Sequence, residues 1–205
     1  MNKAPDQARQ AAKAIAKADQ EASHDAARQR HTRPVRIASA LGEIADQPQM
    51  IAVSTATIAA GLIARRPDLV RGGARMLAAH LLATAAKSAI KHRIDRSRPR
   101  KALQDGHARF QPGHSDDHML NSFPSGHTAG AVAVARAAAR EIEGAGLPAA
   151  IGAGAIAAIQ PVAGNHYLSD VIVGGAIGWI AEAVVDAMVD HIAGLRITSE
   201  SDIYR

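Results

Sequence analysis

Three short segments of this chain carry side chains suited to handling a phosphate group. Lys91 stands seven positions before Arg98-Pro99, Pro124-Ser125-Gly126-His127 forms a compact tetrapeptide, and His166 precedes Asp170 by four residues. Arginine can grip two phosphate oxygens at once and lysine adds a point charge. The tetrapeptide reads as a helix start: proline presets the turn, Ser125 can cap, and Gly126 lets backbone N–H groups approach an anion closely. His127 then falls in the first turn, where it can give a proton to a leaving oxygen. An i to i+4 spacing on a helix lets the Asp170 carboxylate reach the His166 imidazole, fix its tautomer and leave the other nitrogen to attack phosphorus. Each segment alone has an ordinary explanation: a charged flank of an apolar helix, a capped helix with an exposed histidine, a chance His/Asp pair. Together they supply what phosphoryl transfer through a covalent histidine needs.

Two longer stretches, Ser122-Phe123-Pro124-Ser125-Gly126-His127-Thr128 and Asn165-His166-Tyr167-Leu168-Ser169-Asp170, extend the pattern. With them, residues of roughly 40–190 resemble the type 2 phosphatidic acid phosphatase superfamily, which also holds vanadium haloperoxidases and bacterial acid phosphatases. The resemblance implies a helical bundle that needs no metal ion or other cofactor. It implies phosphate binding by Lys91, Arg98, Ser125 and Gly126. It implies that His166 is the nucleophile, Asp170 its orienting partner, and His127 the acid for the leaving alkoxide and later the base for water. The family usually places an arginine six positions before the nucleophile, and here that position is Gln160. A glutamine donates hydrogen bonds but carries no charge, and losing one such interaction typically costs ~3 kcal/mol in the transition state. Arg93, Arg96 and Arg100 are the nearby candidates to replace it.

The elements that must hold these residues are helical. Of 205 residues 47% are apolar but only 2% aromatic, and alanine, the best helix former and a poor strand former, makes up much of the rest. The expected fold is all-α, a bundle of about five to six core helices with an N-terminal helical tail. We divide the chain into a polar Ala-rich tail over 1–34, a phosphatase-like domain over 35–195 and a polar C-terminal tail over 196–205. The tail is expected as a solvated or surface-lying helix. A helical pattern from Ala74 towards Ser97 would put Lys91 and Arg98 on one face, two turns apart. Residues 100–123 read as a long polar loop; His114, Asp116, Asp117 and His118 in it could ligate a metal, but turn-forming composition explains them equally.

No cysteine is present, which excludes disulfides and thiol catalysis. The net charge of +5 is concentrated in 91–101, where six cations face Asp95 alone, and stacking aromatics are scarce, so no nucleic-acid partner is expected. No secretory signal is visible. Apolar runs at 50–64, 74–86, 148–163 and 171–185 are each near 15 residues, short of the ~20 of a spanning helix. The pair Gly174 and Gly178 suits close helix packing in lipid.

The sequence thus predicts a metal-independent phosphatase, a phosphoric monoester or diphosphate hydrolase of lipid metabolism, acting on a phosphorylated lipid or prenyl carrier through a phosphohistidine. Its expected place is a bacterial-type inner membrane, as a multi-pass protein with an extracytoplasmic site; the alternative is a soluble helical bundle whose apolar runs are buried core helices. A vanadate-dependent haloperoxidase is the rival within the fold, disfavoured by the short chain. A catalytically weak or inactive relative that binds anionic membrane surfaces is the rival outside enzymology. The substrate's acyl or prenyl group and the oligomeric state have no signature in the sequence.

Overall fold

The computed structural model describes residues 4–42 and 45–203. Among them are eight α-helices: α1 (Ala4–Ala27), α2 (Arg33–Gly42), α3 (Gln47–Ala64), α4 (Pro67–Lys91), α5 (Pro99–Asp105), α6 (Gly126–Glu141), α7 (Gly146–Val162) and α8 (Leu168–Ile203). Two three-residue strands, β1 (Ile94–Arg96) and β2 (Phe110–Pro112), make a small antiparallel ladder with Asp95 opposite Gln111. The protein is an all-α helical bundle.

Helices α3, α4, α6 and α8 form the centre, with α4 packed against the other three and α7 against α6. Alanine makes this packing close. Ala79, Ala83, Ala129, Ala133 and Ala137 are fully buried, and small side chains let helix axes approach. The tightest approach is α8 on α6: a Cβ at Gly174 would lie 2.4 Å from the Ser125 carbonyl oxygen, and one at Gly178 would lie 2.3 Å from that of Ala129. The glycine pair read from sequence therefore seats α8 directly on the first turns of α6.

Chain direction decides where the chemistry gathers. α4 and α7 end, and α3, α6 and α8 begin, at one end of the bundle. The connections carrying Asp46, residues 92–125 and residues 163–167 therefore meet there. The opposite end is tied by ion pairs of Arg75 with Glu141 and Asp186, and of Glu182 with Arg136 and Arg140.

Three expectations need correction. The helix preceding Arg98 starts at Pro67, runs through Gly72-Gly73 and stops at Lys91, because the next residues leave it to pair as β1 with β2. Arg98 is thus not two helical turns beyond Lys91; it caps α5 in an extended conformation. Residues 100–123 are not a structureless loop, for they hold most of α5, β2 and a 3-10 turn at His118–Leu120. The N-terminal tail lies on the surface, but α1 is anchored: Ser23 and Ala27 are fully buried, and the helix rests on α5, α7 and the start of α8.

α8 is longer than its apolar run suggested. Its segment Leu168–Ile192 is the one described helix long and apolar enough to cross a membrane, and 28% of its most apolar stretch is buried. Ile172, Trp179, Ile180, Val184, Met188 and Ile192 stand exposed along it.

Candidate active site

A cavity of about 350 Å³ opens at the end where α4 stops and α3, α6 and α8 begin. His127 and His166 face each other across it with ring centroids 6.3 Å apart. Lys91, Arg98 and Gly126 also line it, so five of the predicted residues come together. A larger open cleft, about 550 Å³ between Arg30, Arg36, Arg100 and Asn165, contains neither histidine.

The nucleophile candidate is held differently from the expected helical pair. His166 lies in the turn before α8, not on a helix, and its Nδ1 sits 2.6 Å from the Ser122 carbonyl oxygen and 3.8 Å from Asp170 Oδ2. A carbonyl can only accept, so Nδ1 carries the proton and Nε2 keeps its lone pair for the cavity. Burial lowers the His166 pKa to about 4; Asp170 opposes this, and Arg98 and Lys91 reinforce it. The imidazole is therefore neutral near pH 7, the state a nucleophile requires.

Asp170 is fully buried and acts on the turn as a whole. Its Oδ2 accepts from the Tyr167 N–H at 2.8 Å and from the Ser122 hydroxyl, and its Oδ1 pairs with the Arg96 guanidinium. Asp170 thus fixes both the carbonyl-bearing residue that orients His166 and the backbone next to it. Arg96 also reaches Asp19 of α1 at 2.8 Å and lies 4.0 Å over the Tyr167 ring. From α1, Asp19 accepts from the Ser169 N–H and hydroxyl, and Ser23 accepts from the Leu168 N–H.

The helix start caps as its sequence predicts, but Ser125, expected to bind phosphate, is fully buried and does not line the cavity. Ser125 caps α6, accepting weakly from the Thr128 N–H at 3.4 Å, while its own N–H bonds the Asp170 carbonyl at 3.0 Å. The next N–H groups of α6, at Gly126 and His127, have no partner within the helix and carry its positive end. His127 Nε2 lies 2.8 Å from Asp46 Oδ1. Burial lowers the His127 pKa and Asp46 opposes that shift, while Arg98, Lys87 and Lys91 add to it.

Arg98 is 5% exposed and fixed at its back: its Nε donates to the His118 carbonyl at 3.1 Å and a terminal nitrogen donates to His118 Nε2 at 2.9 Å. Lys91 donates to the Asn121 carbonyl at 2.7 Å, and burial, then Arg98 and Lys87, bring its pKa down to about 8. Gln160 does not join the cavity. Its amide donates to the Ile156 carbonyl at 3.2 Å and accepts from Asn165 at 3.4 Å, so the side chain is used by α7 and the turn that follows it. The three arginines expected to replace it do not line the cavity either. Arg93 is exposed, Arg96 is tied to Asp19 and Asp170, and Arg100 donates to Asn165 at 3.0 Å.

Four ionisable cavity residues are not predicted as part of the site by the sequence: Asp46, His80, Lys87 and His118. Lys87 carried a signal, since it is one helical turn before Lys91 on the same face. The sequence offers His118 only as a metal-ligand candidate, whereas its ring buttresses Arg98, and the nearby Asp117 caps the 3-10 turn by accepting from the Met119 N–H. Asp46 and His80 come from distant segments and had none.

The sequence model of the PAP2 superfamily matches residues 72–191, more than half of the chain. A search of curated proteins finds no match. Two solved structures share the fold. Aquifex aeolicus LpxE is 21% identical, with a TM-score of 0.60 over 80% of this chain and 92% of its own. The transmembrane PAP2-type phosphatidylglycerolphosphate phosphatase from Bacillus subtilis is 17% identical, with a TM-score of 0.60 over 87% of this chain and 88% of its own. With the family model spanning both histidine motifs and the bundle that joins them, the chain belongs to the PAP2 superfamily.

Proposed function

We propose that this protein is a membrane-associated phosphatase that hydrolyses a phosphorylated lipid or prenyl carrier by way of a phosphohistidine. The observation that carries the reading is the pairing across one cationic cavity of a buried, neutral His166 with Nε2 unengaged and a second histidine at a helix start. Lys91, Arg98 and the first N–H groups of α6 would hold the phosphate oxygens and oppose the charge that develops in the transition state. His166 Nε2 attacks phosphorus in line, the P–O bond to the lipid breaks, and His127 gives its proton to the departing oxygen. His127 then takes a proton from water as the water attacks the phosphohistidine, releasing inorganic phosphate and restoring both imidazoles. Asp170 acts by holding Ser122 and Tyr167, and through them the His166 ring.

The charge for this chemistry comes from side chains and a helix start, which supports turnover without a metal ion. The phosphatidylglycerolphosphate phosphatase neighbour supports a lipid substrate. The exposed apolar side chains of α8, with Leu62 and Ile63 of α3 and Leu147 and Ile151 of α7, support insertion in a bilayer. We assign α8 as a span, with the cavity at its N-terminal end near the membrane surface; a multi-pass arrangement with an extracytoplasmic site extends the same proposal.

The test is phosphate release from phosphatidate and from prenyl pyrophosphate in the presence of chelator, with wild type compared against His166→Ala. Wild-type release that falls to background in the variant is expected. Equal rates would sink the phosphohistidine route.

A further inference from the structure

Lys87 and Lys91 share a face of the last turns of α4, four residues apart. Like charges at this spacing repel, and both side chains are half-buried. Lys91 is compensated by the Asn121 carbonyl. Lys87 makes no hydrogen bond among the described residues, and its side chain runs over Gly126, where a Cβ would lie 3.0 Å from Nζ. Its ammonium is therefore set against the N-terminus of α6, the positive end of that helix. A cation is disfavoured there unless an anion sits between it and the helix start. The cavity occupies that position, with Arg98 and Lys91 on its other walls. Asp46 is a carboxylate whose charge acts on Lys87, and it is shared with His127.

We infer that Lys87 is a third phosphate-gripping cation of this cavity, contacting the same phosphoryl oxygens as the N–H groups of Gly126 and His127. The inference rests on the phosphatase reading for its catalytic consequence, but the anion contact stands apart from turnover. It also accounts for the glutamine at 160: the cavity keeps three cations, Lys87, Lys91 and Arg98, although the Gln160 side chain points elsewhere. The small side chain at position 126 has a matching reason, since any Cβ there would crowd the lysine.

The experiment compares wild type, Lys87→Met and Lys87→Arg in two assays: equilibrium binding of orthovanadate, and kcat/KM for phosphatidate hydrolysis. Thermal melts check that both variants fold. Lys87→Met should bind vanadate about tenfold more weakly and lose about a hundredfold in kcat/KM, the usual cost of one charge-stabilising contact. Lys87→Arg should stay within about fivefold of wild type in both assays, because the charge is retained. Vanadate binding by Lys87→Met equal to wild type overturns the inference, as does a Lys87→Arg as defective as Lys87→Met, which would indicate a packing role. If wild type does not hydrolyse phosphatidate, the phosphatase reading fails for that lipid while vanadate binding still decides the lysine. Wild type that binds no vanadate overturns the inference outright.

Discussion

Replacing Asp19 by alanine tests whether α1 clamps the turn that carries His166, the proposed nucleophile. The Asp19 carboxylate is only 11% exposed and accepts three hydrogen bonds, from Arg96 at 2.8 Å and from the N–H and hydroxyl of Ser169 at 3.0 and 2.6 Å. A hydrogen bond to a charged donor contributes ~2 kcal/mol and a neutral one ~1 kcal/mol, and water entering the gap returns part of the loss. The variant should therefore be destabilised by about 3 kcal/mol, which for a chain of this size lowers the melting temperature by about 9 °C. Activity should fall further than unfolding explains. Arg96 would still hold Asp170, but the turn carrying His166 would lose its outer anchor, and small misplacements of a reacting group cost up to about a hundredfold. We expect about a tenfold loss in kcat for phosphate release, assayed well below the variant's melting temperature. Asp19→Asn, which keeps an acceptor for Ser169 but not the charge, should fall between. An unchanged melting temperature together with unchanged kcat would show that α1 merely rests on the bundle. A lower melting temperature with wild-type kcat would refute the positioning role while leaving the anchor.

Gly174→Ala places a methyl group against the Ser125 carbonyl, so the first turn of α6 must shift. Overpacking of this kind costs about 1–3 kcal/mol, and phosphate release should drop well below that of Gly175→Ala, whose Cβ would meet Thr128 Cγ2 at an ordinary 3.8 Å. Acid should destabilise the fold through His166. Its folded pKa of about 4 lies below the unfolded 6.5, so the unfolded chain takes up the proton first. The corresponding stability is present above pH 6.5 and is lost as pH falls towards 4, by up to about 3 kcal/mol. Denaturation curves of His166→Asn should lack this limb, and parallel curves for variant and wild type would contradict the buried, neutral imidazole.

The site was legible in the sequence where a residue's role follows from its neighbours along the chain. Ser125 caps the helix that its own tetrapeptide opens, and the stop at Arg65-Arg66-Pro67 ends α3 because Pro67 cannot continue that helix and opens α4 instead. Spacing failed where tertiary pairing overrode local preference. Lys91 to Arg98 kept helical spacing on paper, but β1 pairs with β2 and turns Arg98 into the cap of α5. His166 and Asp170 have the spacing of a helical pair, yet the closest acceptor to the imidazole is a carbonyl 44 positions earlier. Asp19 and Asp46 were invisible for the same reason. Each sits in a segment with no chemistry of its own and gains a role only when the bundle brings it to the turn or the cavity.

The charge in the cavity bears on which phosphate it accepts. Lys87, Lys91 and Arg98 stand against Asp46, while Asp170 is taken up by Arg96 behind the nucleophile. With its four histidines, His80, His118, His127 and His166, all pushed towards the neutral form, the cavity carries an excess of about two positive charges. A phosphate monoester is close to a dianion at pH 7 because its second pKa is about 6, so it cancels that excess, whereas a diester monoanion leaves one cation uncompensated in a poorly solvated site. The same dianion places negative charge beside His127 and favours its protonated form, against the burial and the cations that lower its pKa in the empty cavity. Under the proposed mechanism, substrate thereby helps to charge His127, the proposed acid for its leaving group. A neutral or singly charged ligand would not do so, and on that proposal the terminal phosphate of a lipid fits the cavity better than an internal phosphodiester.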